Sequence, residues 1–309
     1  MTATLTLAPQ NLRTGILLAV ATAFAIASQD VVFKLFNGTL SLWQIFALRG
    51  LIAVPMIVLV GLWRGQPRVV IAEALSLWPI VRGLCLTTTF LLFYAALPFL
   101  SLSTAGAGIY TAPIFVALLS AFVIGEQVGR LGWIGVVLGF VGVVVLLQPG
   151  SDVFSPLAVL PVIGAGFYAM GHIVTRTKCQ GVSPEALALA LNTVMCVAAF
   201  TISGATLIWP MPEELAASYP YIFGGWSETN LRDWAFLAFL AVFAVIVGMM
   251  LARAYQIAPP ATVATFEYSY LLFVAGWDIA VFGLVPSPLS VVGMAMIIGA
   301  GMLVMRGRG

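Results

Sequence analysis

Five ionisable residues, Asp30, Lys34, Arg49, Glu267 and Asp278, fall inside apolar stretches of a chain that is 62% hydrophobic and only 8% charged. Such a composition makes lipid the solvent for most of the chain. A charge at mid-bilayer costs about 2.5–3.5 kcal/mol on insertion scales, so these groups face a bundle interior or a wet cavity. The pattern points to an all-α integral membrane protein with something polar at its centre. A transporter or a channel is the first functional class to consider.

A span needs about 20 mostly apolar residues. Ten such stretches occur, at 13–36, 42–62, 77–99, 101–124, 131–148, 155–175, 184–209, 232–256, 261–284 and 288–305. Backbone polar groups in hydrocarbon must be satisfied within their own segment, which makes each span a helix. Pro55, Pro113 and Pro161 are expected to bend or break theirs. Turn signals separate the spans, among them Asn37-Gly38, Gln148-Pro149-Gly150 and Pro259-Pro260. The third and fourth are joined almost without a loop. The 309 residues leave no room for a separate soluble domain. Residues 1–11 lack a basic region and a cleavage site and read as a short tail.

Net charge of +2 gives no case for a nucleic-acid partner. One histidine, His172, and three cysteines, Cys85, Cys179 and Cys196, offer no metal-ligand spacing and no disulfide framework. No metal, no cofactor and no catalytic group is expected. The expected partners are a small-molecule substrate and the lipid bilayer.

Lys and Arg set the orientation. With a cytoplasmic N-terminus, Arg13, Arg64, Arg68, Arg130, Arg176, Lys178, Arg253, Arg306 and Arg308 all fall at the cytoplasmic face, and Arg232 at the other. That bias supports an even number of spans with both termini inside. The connection 210–231 is acidic and aromatic, and its rings suit the membrane–water interface.

The chain also repeats itself. Phe122–Glu126 aligns with Ala280–Leu284, so that Gly125 meets Gly283 and, without gaps, Gly135 meets Gly293. Tyr94–Pro98 resembles Tyr255–Pro259, and residues 27–34 echo 170–176. The halves are then 1–150 and 151–309, with five spans each. An odd number inserts the second copy upside down. This 5+5 inverted-topology repeat around a central cavity is a common plan of secondary transporters, which bind substrate near the midplane between the repeats.

Candidate residues divide by depth. Asp30, Lys34, Arg49 and Asp278 lie in the outer half, Gln29 beside them, and their charges sum to zero. Asp30 and Lys34 have i,i+4 spacing. Either they form a structural salt-bridge network, or some act as an outer gate or as a dock for an ammonium and a carboxylate. Arg49 suits a carboxylate because guanidinium is a planar bidentate donor. In the inner half, Tyr168 and His172 share one helix face, and Glu267 and Tyr270 another. His172 is either proton-sensitive or a packing histidine. Glu267 either handles a proton or a substrate amine, or pairs with Arg82. Tyr94, Tyr110, Tyr168, Tyr268, Tyr270 and Trp277 lie on several spans, where a phenol or indole needs a partner. Together they could line a cavity for a flat or apolar metabolite, or serve packing and the interfacial belt. The small residues at 103–108 leave backbone room either for packing or for a ligand. The glycines of the fifth and tenth spans read as packing surfaces, within one chain or in a homodimer.

The two five-span halves, and the stretch Ala105–Gly142 with its second copy Pro260–Gly301, resemble the EamA-type branch of the drug/metabolite transporter superfamily. In each, a helix ends at a glycine and is followed by a glycine-rich span. The chain is most similar to the aromatic amino-acid exporters of bacterial inner membranes. Leu284 departs from the acidic residue at Glu126, which reads as a cap or an ion pair with Arg130. The resemblance implies a central cavity between the halves with the fifth and tenth spans peripheral. It implies an exporter of aromatic or other neutral amino acids, or of related metabolites or drugs, in a bacterial inner membrane, as a monomer or homodimer. A channel would need a ring of carbonyls or like charges. An intramembrane enzyme would need a motif such as HExxH or GxSxG, which the chain lacks, and no GxxxxGK[ST] occurs to power a primary pump. Energy coupling stays open among Glu267, Asp30, Asp278 and His172, with facilitated diffusion as the alternative.

Overall fold

The computed structural model describes residues 11–35, 40–96, 99–100, 102–150, 155–209 and 211–306, with the side chains of 33, 34, 102, 103 and 207 left out. All regular structure among them is helical. The first three spans are α1 (Leu12–Leu35), α2 (Leu42–Trp63) and α4 (Leu77–Ala96), with a short α3 (Pro67–Ala74) before the third. The fourth is broken into α5 (Leu102–Ile109) and α6 (Ala112–Leu119), extended by a π turn over Ser120–Ile124. Then come α7 (Arg130–Leu147), α8 (Val159–Lys178) and α9 (Pro184–Ile208), and two short helices, α10 (Glu213–Ser218) and α11 (Pro220–Phe223). The eighth span is α12 (Leu231–Ile257). The ninth is again broken, into α13 (Pro260–Glu267) and α14 (Ser269–Phe282), and α15 (Pro288–Arg306) is the last. Nine helical stretches among the described residues are long and apolar enough to cross a membrane. The α13–α14 pair supplies a tenth crossing.

The fourth span is interrupted next to Pro113, where a bend or break was expected, and the ninth, with no such expectation, is interrupted too. Pro113 has no N–H to offer Ile109, and the chain tightens around Thr111, where Thr111 N bonds Gly108 O and Ile114 N bonds Thr111 O. The ninth span has no internal proline. It tightens to i→i−3 bonds, Tyr268 N to Thr265 O and Leu271 N to Tyr268 O. Pro55, by contrast, sits inside a continuous α2, and Pro161 falls in the first turn of α8, where a missing N–H is tolerated.

Packing follows the repeat. α4 lies on α8 and α12 on α1; α4 lies on α9 and α12 on α2; α5 and α6 lie on α8 as α13 and α14 lie on α1. α2–α9, α6–α13 and α7–α15 pair across the centre. The two interruptions, at Tyr110 and Tyr268, each precede by fifteen residues a glycine with left-handed backbone, Gly125 (φ 77°) and Gly283 (φ 66°). Both glycines cap the end of their span. A residue with a Cβ adopts that conformation poorly, which explains why glycine stands at both matched positions.

α7 and α15 meet backbone to backbone. A Cβ on Gly142 would stand 2.9 Å from Gly293 O, and one on Gly135 would stand 2.9 Å from Ala300 O. The glycine faces that offered a dimer contact are therefore consumed within the chain. Gly108 likewise packs on Pro161, where a Cβ would come within 2.8 Å, so this part of the small face serves helix contact and leaves no ligand space.

Both described ends of the chain lie at one end of the bundle, where Asn11 N bonds Ile257 O. There Arg64 pairs with Glu185 at 2.5 Å, and Glu73 accepts from the Ser183 amide (2.9 Å) and hydroxyl (2.6 Å). Cys179 is buried in the turn after α8, and burial pushes its thiol up to about 11. The opposite end is closed over by residues 211–230. The Trp43 indole donates to Ile222 O at 2.8 Å, Gln44 exchanges bonds with Ser227, and Trp226 donates to Ser203 Oγ at 3.0 Å. This segment, expected as an interfacial loop, is thus a packed cap, with its own Ile222 buried.

Candidate functional site

The two interruptions bring their tyrosines together. The break leaves Tyr110 O outside the helical ladder, and the Tyr268 hydroxyl donates to it at 3.1 Å, with the two rings 6.1 Å apart. The Tyr270 ring stacks on Tyr110 at 6.2 Å. Around them lies a cavity of about 180 Å³. Thr22 and Ile26 of α1, Tyr110 and Pro113 of the fourth span, Tyr168 of α8, Leu251 of α12, and Glu267, Tyr268 and Tyr270 of the ninth contribute to its wall. The wall therefore draws on both halves of the repeat. Discontinuous helices at the midplane are the usual means by which transporter folds present polar backbone to a bound molecule.

Glu267 is the acidic group of this chamber. As the last residue of α13 it stands at the interruption, and each of its oxygens accepts a phenol. Tyr168 donates to Oε1 at 2.9 Å and Tyr255 to Oε2 at 3.2 Å. The pairing with Arg82 weighed from the sequence does not form. Arg82 is buried and donates instead to Thr175 Oγ1 (2.8 Å) and Leu187 O (3.2 Å). His172 is fully buried between the two phenols, its ring 3.7 Å from Tyr255 and 4.3 Å from Tyr168. Neither of its nitrogens has a hydrogen-bond partner among the described residues.

The outer residues are arranged differently from the salt-bridge network considered above. Asp30 Oδ2 accepts from the Tyr270 hydroxyl at 2.6 Å. Lys34's side chain lies outside the described residues. Two turns along α14, Trp277 donates to Ser28 Oγ at 3.2 Å, and Phe24 meets Phe273 edge-on at 5.3 Å. Asp278 follows Trp277, and Gln29 is half-buried next to Asp30. Together these contacts zip α1 to α14. Arg49 is on α2 against α9. Its Nη2 faces Met195 Sδ at 3.0 Å, its guanidinium lies 4.9 Å over the Phe46 ring, and its buried Nε has no partner among the described residues. Among the described residues no carboxylate pairs with it. Tyr94 packs edge-on against Phe46 at 5.6 Å. Of the eight side chains proposed as cavity-lining, Tyr110, Tyr168, Glu267 and Tyr270 meet in one chamber. His172 stands behind its wall, and Arg49 with Tyr94 forms a separate polar spot.

Sequence reasoning passed over two features. Tyr255 was visible in the Tyr94–Tyr255 alignment but sits near a helix end. Glu126 was paired on paper with Arg130, one turn away, which is exposed. It pairs instead with fully buried Arg176, whose Nε and Nη2 both lie 3.0 Å from Glu126 Oε1 and whose Nη1 donates to Gln256 O at 2.6 Å. A buried guanidinium needs a carboxylate and further acceptors, and tertiary contact supplies what the local sequence could not show. No group of three His, Cys, Asp or Glu among the described residues could hold a metal.

The EamA-like transporter family matches residues 13–148. Over that stretch, less than half of its length, the chain is similar to the EamA-like transporters. It is 27% identical to the riboflavin transporter of Vibrio cholerae over 190 residues, 61% of this chain and 57% of that protein, so the match spans little more than half of that relative. Pseudopaline exporter CntI of Pseudomonas aeruginosa is 25% identical over 94% of this chain and 95% of its own length. The S-adenosylmethionine uptake transporter of Rickettsia prowazekii is 23% identical over 72% of this chain and 69% of its own length. A solved crystal structure superposes with a TM-score of 0.73 at 19% identity, covering 96% of each chain, which fixes the fold. These three relatives are all named as transporters.

Proposed function

We propose that this EamA-type protein is a secondary exporter of a small amphipathic metabolite, working by alternating access between two half-bundles, residues 1–150 and 151–309. The supporting observation is the chamber between broken helices from both halves, walled by four tyrosines and one carboxyl group. Tyrosine faces suit a flat ring, and the carboxyl and the freed backbone suit polar substituents. At about 180 Å³ the chamber is smaller than the roughly 300–1,000 Å³ of sites for drug-sized ligands. Its present size favours a molecule the size of an amino acid. Aromatic and other neutral amino acids are therefore the preferred class, with Arg49 a dock for the carboxylate as the substrate passes. Export is supported by the exporter that matches nearly the whole chain. The excess of Lys and Arg at the end bearing the termini supports a cytoplasmic location for that end in a bacterial inner membrane.

In proteoliposomes, counterflow of labelled L-tryptophan, L-phenylalanine, riboflavin or S-adenosylmethionine should saturate and respond to unlabelled substrate. Flux that never saturates would indicate a channel. Ile26→Trp, which fills the chamber from α1, should reduce counterflow at least tenfold, whereas Ile26→Ala should retain it. Full activity of a folded Ile26→Trp protein would remove the chamber from the route.

A further inference from the structure

Glu267 is the one carboxylic acid in the chamber wall, and its bonding is unusual in one respect: both partners are phenols, from two different spans. We infer that Glu267 is the binding site for a coupling proton, which makes the transport proposed above proton-driven. This rests on the transporter reading and adds its energy source.

An ionised carboxylate only accepts hydrogen bonds, whereas a protonated one must also donate. With the carboxylate charged, Tyr168 of α8 and Tyr255 of α12 both donate to it and tie those helices to the interruption in the ninth span. When a proton binds, one oxygen becomes a donor, and one phenol must turn to accept or let go. Proton occupancy thereby selects between two bonding patterns among three spans that bound the chamber. The groups facing Glu267 are phenols: Tyr168, Tyr255, Tyr110 and its neighbour Tyr268. His172 lies behind the first two. The nearby buried cations are committed elsewhere, Arg82 to Thr175 and Leu187 O, and Arg176 to Glu126. No cation among the described residues pairs with Glu267, so a proton or a cationic substrate group is what can neutralise it. That competition is the physical basis of antiport: proton binding and substrate binding exclude one another at one oxygen pair, so release of one admits the other.

The test uses purified full-length protein. In lipid vesicles an imposed proton gradient, with membrane potential clamped, should drive accumulation of whichever of the four probes shows counterflow, and a sodium gradient should not. Glu267→Gln should abolish that accumulation and leave any remaining counterflow independent of pH. Tyr255→Phe should weaken coupling and shift its pH profile. Infrared difference spectra between two pH values, which need no substrate, should contain a carboxylic-acid carbonyl band that Glu267→Gln removes. Retained proton-driven accumulation in Glu267→Gln, driving by sodium instead of protons, or an unchanged carbonyl band would overturn the inference. Absence of counterflow for every probe would count against the transporter reading itself, with the infrared band still deciding the fate of Glu267.

Discussion

Glu126→Ala is expected to lower stability by about 3–5 kcal/mol, the cost of leaving a buried partner charge alone. Arg176 has no exposed surface, and Glu126 is its only carboxylate among the described residues. The pair joins the end of the fourth span to α8, and Arg176 continues the link to the end of α12 through Gln256 O. At the same place Gln256 donates to Cys179 O (2.6 Å) and Val182 O (2.8 Å). The melting temperature in detergent should fall by several degrees, and thiol reagents should reach Cys179 faster. Replacing the whole pair, Glu126→Leu with Arg176→Met, should recover most of the loss, because apolar replacements of similar volume remove both desolvation costs. Gln256 O would keep its bond from Gln180 Nε2 at 2.8 Å. A single Glu126→Ala variant that melts with the parent would show that Arg176 finds water or another acceptor.

Gly293→Ala should be strongly destabilising. The added Cβ would stand 2.7 Å from Gly142 O and 2.8 Å from Leu146 N, both backbone atoms that cannot rotate away. Overpacking of this kind costs about 1–3 kcal/mol and occasionally more, against the roughly 1 kcal/mol that alanine gains over glycine in a helix. Gly299→Ala on the same helix is the control, since its Cβ would meet only Leu138 Cδ2 at an ordinary 3.8 Å. Equal melting temperatures for the two variants would contradict the observed helix contact.

Span number, the inverted plan and the matched glycines were legible because they depend on periodicity and composition, which each segment carries by itself. The alignment of Gly125 with Gly283 even located two left-handed caps. What could not be read was partner choice. Asp30 meets Tyr270, 240 residues away, instead of a neighbour one turn on. Glu126 reaches Arg176 across fifty residues while Arg130 turns outward. The ninth span's interruption has no internal proline to announce it; it lies at Tyr268, which is fully buried. Tyr110, Tyr168, Glu267 and Tyr270 could be named as candidates, yet only the pairing of α6 with α13 explains why they share one chamber and Arg49 does not.

The glycine seam between α7 and α15 has a mechanical corollary. Two rods that touch main chain to main chain have no side-chain cushion on which to slide, so they turn as one body. If the half-bundles rock as proposed, that motion must be absorbed by the joints that attach this mast to the spans before it, at residues 125–129 and 283–287.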